Sequence, residues 1–281
     1  MSNEQQLSWL DFLRQQSQQP EPAGLDMADI RGQQHVKRAF EVAAAGGHSL
    51  LLVGSHGVGK ATLGRAFSTL APDVPFHIPD PRTFVLPDEG IVLMEDLHCY
   101  DQQALTALRE ATRKHAPLLV VATLTTCLCG YYLDPTRDCR CTSSAIDHYY
   151  RRLRSALRTC FPIQVEVPRV ERDVFLDRRL QESSRQVCRR IEAAHNRQRE
   201  RYGCPRLNAD LRSFTEVQEY CKLDTDAEKL LKVACQSSLC LEMYQVMRLH
   251  TIARTIADLV GASTIAAHHV AEAIMHLKDR R

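Results

Sequence analysis

The sequence has no long hydrophobic segment, because none of its apolar runs approaches the ~18 residues that a membrane-spanning helix needs. Its first residues, MSNEQQLSWLDFL, have no basic flank and no small-residue cleavage site, so they do not resemble a signal peptide. Neither positive nor negative charge predominates. The formal net charge is +2, which gives no global basic field to attract nucleic acid. These absences predict a cytoplasmic protein with no membrane partner.

Aromatic residues are few, at 6% of the chain, and are rarely interleaved with basic residues. This pattern argues against a stacking surface for single-stranded nucleic acid. A length of 281 residues suits one α/β core with a second, smaller domain. The eleven cysteines are numerous for a cytoplasmic chain, where we expect thiols and not disulfides.

Short continuous apolar runs predict four strands that are buried on both faces: 49–53, 91–94, 118–122 and 163–167. Periodic apolar positions between these runs predict helices at 29–45, 61–70 and 102–114. Asp101 is placed to cap the third of these helices. Strands that alternate with helices predict an α/β fold with a parallel sheet and helices on both faces. Five prolines between 72 and 88 predict an extended connector.

The pattern changes after Pro168, where we find no convincing strand. Periodic stretches predict helices at about 172–201, 208–220, 224–237, 240–259 and 264–278, with Thr264 as the N-cap of the last one. The predicted organisation is therefore a tail at 1–24, an α/β core at 25–168 and an all-helical domain at 169–281.

A glycine-rich segment, Gly54-Ser55-His56-Gly57-Val58-Gly59-Lys60, follows the first predicted strand and precedes a helix. Glycines let backbone N–H groups turn towards phosphate oxygens, and the lysine reaches the terminal phosphates. The next position usually carries a hydroxyl for magnesium, but here it is alanine. The candidate nucleotide-binding residues of this segment are Gly54, Gly57, Val58, Gly59, Lys60, Ala61 and Thr62.

Thr62 lies one residue beyond the usual magnesium ligand. A shift of one residue rotates a helical side chain by about 100°. We therefore expect Thr62 to contact a phosphate but do not assign it as a replacement metal ligand.

Two acidic residues, Glu95 and Asp96, close the second predicted strand. Carboxylates at the carboxyl end of a buried strand face the crevice where ligands bind in open α/β sheets. The usual order is Asp for the metal and Glu for water, and this chain has the reverse. Glu95 is the candidate magnesium ligand, while Asp96 is one methylene shorter than the usual water-polarising residue. A solvated acidic strand end is the alternative.

Four clustered cysteines, Cys127, Cys129, Cys139 and Cys141, form a C-x-C-x9-C-x-C pattern between a strand and a helix. Four thiolates at such spacing suit tetrahedral zinc, which would fix a long loop that has no core of its own. Reduced structural cysteines and a disulfide pair remain the alternatives.

Basic residues concentrate in two places: a run formed by Arg151, Arg152, Arg154 and Arg158, and a stretch at 178–201 rich in arginine. Glu182, Glu192 and Glu200 lie within the second stretch. The mixed signs favour a solvated helix with ion pairs. Contact with DNA phosphates is the alternative.

Several motifs together resemble the ComM/YifB proteins, which belong with the magnesium-chelatase ATPase subunits in the AAA+ class. The resembling segments are 29–33, 43–48 with the glycine-rich loop, 127–135, 139–141, 165–168, 182–184, 197–199, 207–209 and 253–259. The resemblance implies an AAA+ core followed by a helical lid, binding of ATP or ADP with Mg²⁺, assembly with other AAA+ subunits into rings, and a link to DNA branch migration. It places Ile30 and Gln33 near the adenine.

The same resemblance assigns catalytic positions on which this chain departs from the family. The asparagine that senses the terminal phosphate falls on Thr125, and the arginine finger falls near Cys160, with Arg158 as the nearest arginine. The lid arginine falls on Tyr244, with Arg248 one turn later. The family's Lon-like N-terminal domain has no counterpart here, and the segment from Lys60 to Glu95 is too short for the family's pore insert.

These departures predict weak or absent hydrolysis, since an arginine finger alone contributes roughly 10³–10⁵ in rate. We therefore expect a nucleotide-binding regulatory or structural subunit of an assembly. An active DNA-directed ATPase is the alternative, in which Arg158 and Arg248 compensate. A protein-interaction module without nucleotide is the third hypothesis.

Overall fold

In the computed structural model, residues 25–171, 173–174, 181–236 and 242–277 are described. The predicted tail at 1–24 lies outside these residues. Five parallel strands form one sheet in the order β2-β3-β4-β1-β5. The strands are β1 (Leu50–Gly54), β2 (Phe76–His77), β3 (Gly90–Met94), β4 (Leu118–Thr125) and β5 (Ile163–Glu166).

The sheet confirms the parallel α/β prediction and adds one strand to it. β2 lies in the proline-rich connector, where Phe76 pairs with Ile91 of β3. Two residues are too few to give a periodic signal, so the sequence predicted only an extended segment there. β4 also runs further than predicted, to Thr125, which pairs with Gly54 at the end of β1.

The helices of the α/β part are α1 (Gln34–Gly46), α2 (Lys60–Ala66), α3 (Gln102–Lys114) and α4 (Ser143–Cys160). Asp101 caps α3 as predicted, because its carboxylate accepts from the Ala104 N–H at 2.8 Å. The predicted helix at 61–70 is shorter than expected and continues as a 3₁₀ turn at Phe67–Leu70.

Alternate residues of each strand enter two different apolar cores, one on each face of the sheet, because strand side chains alternate in direction. Leu50 and Leu52 of β1 pack in the core formed with α1, α2 and the C-terminal helices. Leu51 and Val53 pack in the core formed with α3 and α4. The first core runs without interruption from the sheet into the C-terminal part.

The C-terminal part contains α5 (Ser184–Tyr202), α6 (Phe214–Tyr220), α7 (Thr225–Gln236), α8 (Met243–Leu259) and α9 (Ala267–His276). Within its described residues the only β pairing is an isolated bridge between Leu223 and Ile265, in agreement with an all-helical prediction. The proposed N-cap at Thr264 is wrong, because α9 begins at Ala267, with Ala266 in the cap position.

A buried charge network joins these helices around Asp258. Its carboxylate accepts from Arg201 Nη1 at 2.9 Å, Arg254 Nε at 3.1 Å and Asn208 Nδ2 at 2.9 Å. The side chains of Arg254 and Asp258 are fully inaccessible. Buried charges are tolerated when every hydrogen-bonding group has a partner, so this network is structural. No helix in the described part of the chain is both long enough and apolar enough to cross a membrane.

Candidate functional site

The glycine-rich loop joins the end of β1 to the start of α2 at the carboxyl edge of the sheet. Gly57 and Gly59 have φ values of 79° and 88°. A Cβ added to either glycine would meet no other atom within 4 Å. The left-handed backbone, and not crowding, therefore requires glycine at both positions. Gly54 differs, because its Cβ would approach Val167 O to 2.5 Å.

Lys60 is the first residue of α2, and its ammonium group lies inside the curl of the loop. Nζ donates to Gly54 O at 2.9 Å and to Ser55 O at 2.8 Å, and the residue is 7% exposed. An ammonium has three N–H donors, so one remains for an anion. Burial lowers the pKa of Lys60, and the negative charge of Asp96 opposes that shift. The loop therefore presents a buried cation at the place where the motif predicts phosphate binding.

The two residues that follow Lys60 carry no buried hydroxyl. Ala61 is half-buried, and Thr62 is exposed on the third position of α2. The hydroxyl that the motif normally supplies for magnesium is thus absent from its usual position.

The acidic pair separates into two different environments. Glu95 Oε1 accepts from Arg65 Nε at 3.0 Å, with the Arg65 side chain 59% exposed. Asp96 has φ 51°, and its N–H donates to Thr123 Oγ1 at 2.8 Å. Of the two carboxylates, Asp96 is the one whose charge acts on Lys60. Glu95, the predicted magnesium ligand, is instead held by an arginine.

Thr125 lies at the end of β4, beside Gly54, where the family resemblance placed the phosphate sensor. Its carbonyl accepts from Tyr149 Oη at 2.8 Å, and its hydroxyl lies 3.3 Å from the same oxygen. Burial raises the pKa of Tyr149, so this phenol stays protonated and donates. Thr125 therefore lies at the same edge of the sheet as the glycine-rich loop, and its hydroxyl contacts Tyr149 of α4.

Ile30 and Gln33 lie together just before α1. Gln33 has φ 54°, and its Nε2 donates to Pro168 O at 2.8 Å. Its Oε1 is buried and has no hydrogen-bond partner among the described residues. Ile30 is 8% exposed, and its carbonyl accepts from Lys37 Nζ at 2.6 Å. A buried acceptor without a partner requires an explanation, and a ligand amino group would supply one.

The two candidate arginines lie at the opposite, amino edge of the sheet. Arg248 Nη1 donates to Arg158 O at 2.7 Å, and its guanidinium covers the ring of Tyr244. Arg158 pairs with Glu242 at 2.5 Å. A cavity that Arg248 lines is also bordered by Ser49, Leu118 and Pro162, which immediately precede or begin β1, β4 and β5.

Arg248 therefore lies at the edge of the sheet opposite to the glycine-rich loop of its own chain, and its role at a nucleotide stays a prediction. Arg158 lies at the same edge, beside Arg248. An arginine finger acts on the nucleotide of a neighbouring subunit, so the role of Arg158 as such a finger stays a prediction.

The four predicted cysteines come together in the segment between β4 and α4. Cys127 Sγ lies 3.3 Å from Cys129 Sγ and 3.6 Å from Cys139 Sγ, and all four sulfurs lie within 4.8 Å of one another. Zinc–sulfur bonds of about 2.3 Å in a tetrahedron place sulfurs about 3.8 Å apart, so the spacing fits such a site. Backbone N–H donors of Arg140 and Tyr131 lower the pKa of Cys129 to about 6, while burial and the neighbouring sulfurs raise the pKa of Cys139 and Cys141. Cys129 is therefore the thiol of the three that most favours the thiolate that a metal binds.

The cysteine segment packs directly on the glycine-rich loop at 54–60, which we call the phosphate loop below. The sequence did not predict this contact. The His56 N–H donates to Gly130 O at 2.9 Å, and the rings of His56 and Tyr131 meet edge to face at 6.4 Å. Asp134 also belongs to this contact, although we assigned it no role. The sequence signal that pointed to Asp134 was its position within the segment 127–135, which resembles the family.

The chain matches two sequence profiles of one family. "Magnesium chelatase, subunit ChlI" matches residues 26–77 and 76–175, and "Magnesium chelatase, subunit ChlI C-terminal" matches residues 181–276. These matches cover both the sheet with its loops and the C-terminal helices.

Curated relatives include the "Uncharacterized protein YifB" of Escherichia coli, 28% identical over 310 residues, covering 89% of this chain and 60% of that protein. The "Competence protein ComM" of Haemophilus influenzae is 29% identical over 311 residues, covering 89% of this chain and 59% of that protein. This chain thus spans about three fifths of the length of these relatives. It belongs to the magnesium chelatase ChlI family of AAA+ proteins, and within that family its sequence is of the ComM/YifB type.

Proposed function

We propose that this protein binds an adenine nucleotide in the phosphate loop, hydrolyses it slowly or not at all, and serves as a regulatory or structural subunit of an assembly. The observation that carries the proposal is the loop itself. Two left-handed glycines and the buried Lys60 ammonium lie at the carboxyl edge of a parallel sheet, while the next residue, Ala61, has no hydroxyl for magnesium.

The nucleotide is proposed to lie between the loop and the start of α1. The backbone N–H groups around Gly57, Gly59 and Lys60 would hold its phosphates. The buried Oε1 of Gln33, which lacks a partner within the described part of the chain, would accept from the adenine amino group. Ile30 would contact the ring. These groups fit ATP and ADP, because they offer donors to phosphates and an acceptor to the base.

Slow hydrolysis follows from where the catalytic candidates lie. Glu95 is bound to Arg65, so it would have to exchange that partner before holding Mg²⁺. Asp96 is near Lys60 but one methylene shorter than the residue that normally polarises water. A misplacement of about 1 Å loses on the order of a hundredfold in rate. Arg248 lies at the other edge of the sheet.

The partners proposed are other AAA+ subunits, and DNA is a candidate because one relative is named a competence protein. Part of the arginine-rich stretch is already engaged. Arg190 bonds Glu41 and Glu182, and Arg201 bonds Asp258. These pairs support a solvated, ion-paired helix more than a phosphate-binding surface. Arg178 and Arg179 lie outside the described residues. Because the ion pairs make DNA contact the less favoured interpretation, an active DNA-directed ATPase is only the second candidate function.

A zinc ion is proposed at the four cysteines, where it would supply a structural cross-link and no catalytic chemistry. Four thiolates at the observed spacing are a typical ligand set for zinc. None of the ten described cysteines forms a disulfide. The location proposed is the cytoplasm, where thiols stay reduced.

The test is a titration with a fluorescent ATP analogue together with steady-state ATPase assays with and without DNA. We expect the wild-type protein to bind and Lys60→Ala to lose binding, while Lys114→Ala, an exposed lysine at the end of α3, binds normally. Turnover is expected well below ~1 s⁻¹, under the ordinary enzyme range. Turnover above about 1 s⁻¹ that Lys60→Ala abolishes would establish the motor function instead. Absence of binding at millimolar ATP would overturn both and leave the interaction module.

A further inference from the structure

The turn inside the cysteine cluster touches the phosphate loop through its backbone. Gly130 N–H donates to Cys127 O at 3.0 Å, and Gly130 O accepts from the His56 N–H at 2.9 Å. Gly130 has φ 80°, and a Cβ added there would lie 2.8 Å from His56 Cβ. The phosphate loop is therefore one hydrogen bond away from a metal-ligand residue, at a contact with no room for a larger side chain.

A second link runs through Asp134, whose side chain is fully inaccessible. Oδ1 accepts from the Thr136 N–H at 2.8 Å, from Thr136 Oγ1 at 2.7 Å and from the Arg137 N–H at 3.0 Å. Oδ2 accepts from Arg169 Nη2 at 3.2 Å. The Ser55 side chain of the phosphate loop lies close enough to the same carboxylate to help lower its pKa.

The groups around Asp134 come from three segments: the cysteine loop and the connector that leaves β5, which donate to it, and the phosphate loop, whose Ser55 lowers its pKa. Hydrogen bonds from Thr136 and Ser55 hold the pKa of Asp134 well below its usual range, so the group is ionised at neutral pH. Arg169 follows Pro168, whose carbonyl accepts from Gln33. The carboxylate of Asp134 thus joins the phosphate side of the proposed nucleotide site to its adenine side.

We propose that the metal-bound cysteine cluster positions the phosphate loop through Gly130 and Asp134, so that nucleotide affinity depends on the metal. The inference rests on the nucleotide binding proposed above. A binding loop needs supporting groups that fix its conformation before the ligand arrives, and Ser55 and His56 receive that support from the cysteine segment. Asp134 acts as a positioning residue, because it reaches the nucleotide only through other groups.

Two pairs of variants test the links, each with a matched control. Asp134→Asn is compared with Asp138→Asn, an exposed acid of the same loop. Gly130→Ala is compared with Gly203→Ala, which has φ 67° and nothing within 4 Å of its Cβ, so both carry the same backbone strain but only the first meets His56. The readouts are the Kd of a fluorescent ADP analogue, the zinc content and the Tm.

We expect Asp134→Asn and Gly130→Ala to weaken ADP binding by about tenfold, which corresponds to about 1.4 kcal/mol, while each retains zinc. Both controls should bind as the wild type does. A role in fold stability alone would lower the Tm without changing the Kd measured well below it. If Asp134→Asn binds ADP as tightly as the wild type, the inference is overturned, whatever happens to the folding of Gly130→Ala.

The metal is tested by stripping the wild-type protein with a chelator under reducing conditions and adding back Zn²⁺ alone. We expect ADP affinity to fall on stripping and to return with Zn²⁺. Unchanged affinity in the stripped protein would overturn the dependence on metal. A wild-type protein that binds no nucleotide, with or without Zn²⁺, contradicts the proposed function itself, so the two failures are distinguishable.

Discussion

Two regions of this protein use arginine–carboxylate pairs in opposite ways. Around Asp258, the carboxylate and Arg254 are buried, Arg201 is half-buried, and both carboxylate oxygens accept hydrogen bonds within the C-terminal helices. At the carboxyl edge of the sheet, Glu95 and Arg65 form a partly exposed pair, and Gln33 Oε1 is left without a partner in the described chain. Polar groups that have all their hydrogen-bond partners within the chain indicate a structural role. A buried polar group that lacks a partner near a cleft indicates a place for a ligand.

The largest expected effect is at the buried network. Asp258→Ala would leave Arg254 as a buried cation and Arg201 as a half-buried one without their carboxylate, and we expect the free energy of unfolding to fall by about 3–5 kcal/mol. Chemical denaturation measures it. Asp226→Ala removes a carboxylate from an exposed pair with Lys229 and should change little. Equal effects for the two variants would show that burial of the carboxylate does not decide its contribution to stability.

The second-largest expected effect is a fall in the free energy of unfolding in acid, caused by a buried histidine. Burial lowers the pKa of His195 from 6.5 to about 4. A neutral buried histidine contributes stability that is complete above pH 6.5 and is lost as the pH falls from 6.5 towards 4, because the unfolded chain then binds more protons. At pH 5 the loss for one such group is about 2 kcal/mol.

The measurement is the free energy of unfolding at pH 7 and at pH 5. His195→Gln should reduce the difference between the two values, and His148→Gln, an exposed site, should leave it unchanged. His48, with a pKa lowered by burial to about 3, and His276, at about 4, add to the same acid sensitivity. A difference that persists in full in His195→Gln would show that this residue is not its source.

At the proposed nucleotide site we expect a change in ATP affinity with little change in folding stability. Gln33→Asn withdraws the amide by one methylene while tolerating the left-handed backbone at this position. Affinity for ATP should fall by about tenfold, or about 1.4 kcal/mol, with the Tm nearly unchanged. Gln34→Asn, on the exposed neighbour, is the control. Normal ATP affinity in Gln33→Asn would place the adenine elsewhere.

The smallest expected effect is at the exposed pair. Glu95→Gln removes one charge opposite Arg65, whose side chain is 59% exposed, so we expect a change below about 1 kcal/mol in the free energy of unfolding. Urea titration measures it against the wild type. A loss as large as that of Asp258→Ala would mean that Glu95 has a structural role.

Much of the core was predictable because its signals are local. Apolar runs predicted β1, β3, β4 and β5, Asp101 predicted a helix cap, and the cysteine spacing predicted a cluster whose sulfurs the structure brings together. The role of Asp134 was not predictable, since its donors come from segments far apart in the chain. The place of Arg248 depends on how the C-terminal helices dock on the sheet, which no local motif encodes.

The strand order has a mechanical consequence. β1 lies between β4 and β5, so the loop that leaves its carboxyl end is flanked by the ends of both neighbours. One neighbour leads into the cysteine segment and the other into the connector at Pro168 and the helices beyond. A displacement of the loop would therefore reach the cysteine segment and the connector directly, without having to pass through the interior of the sheet.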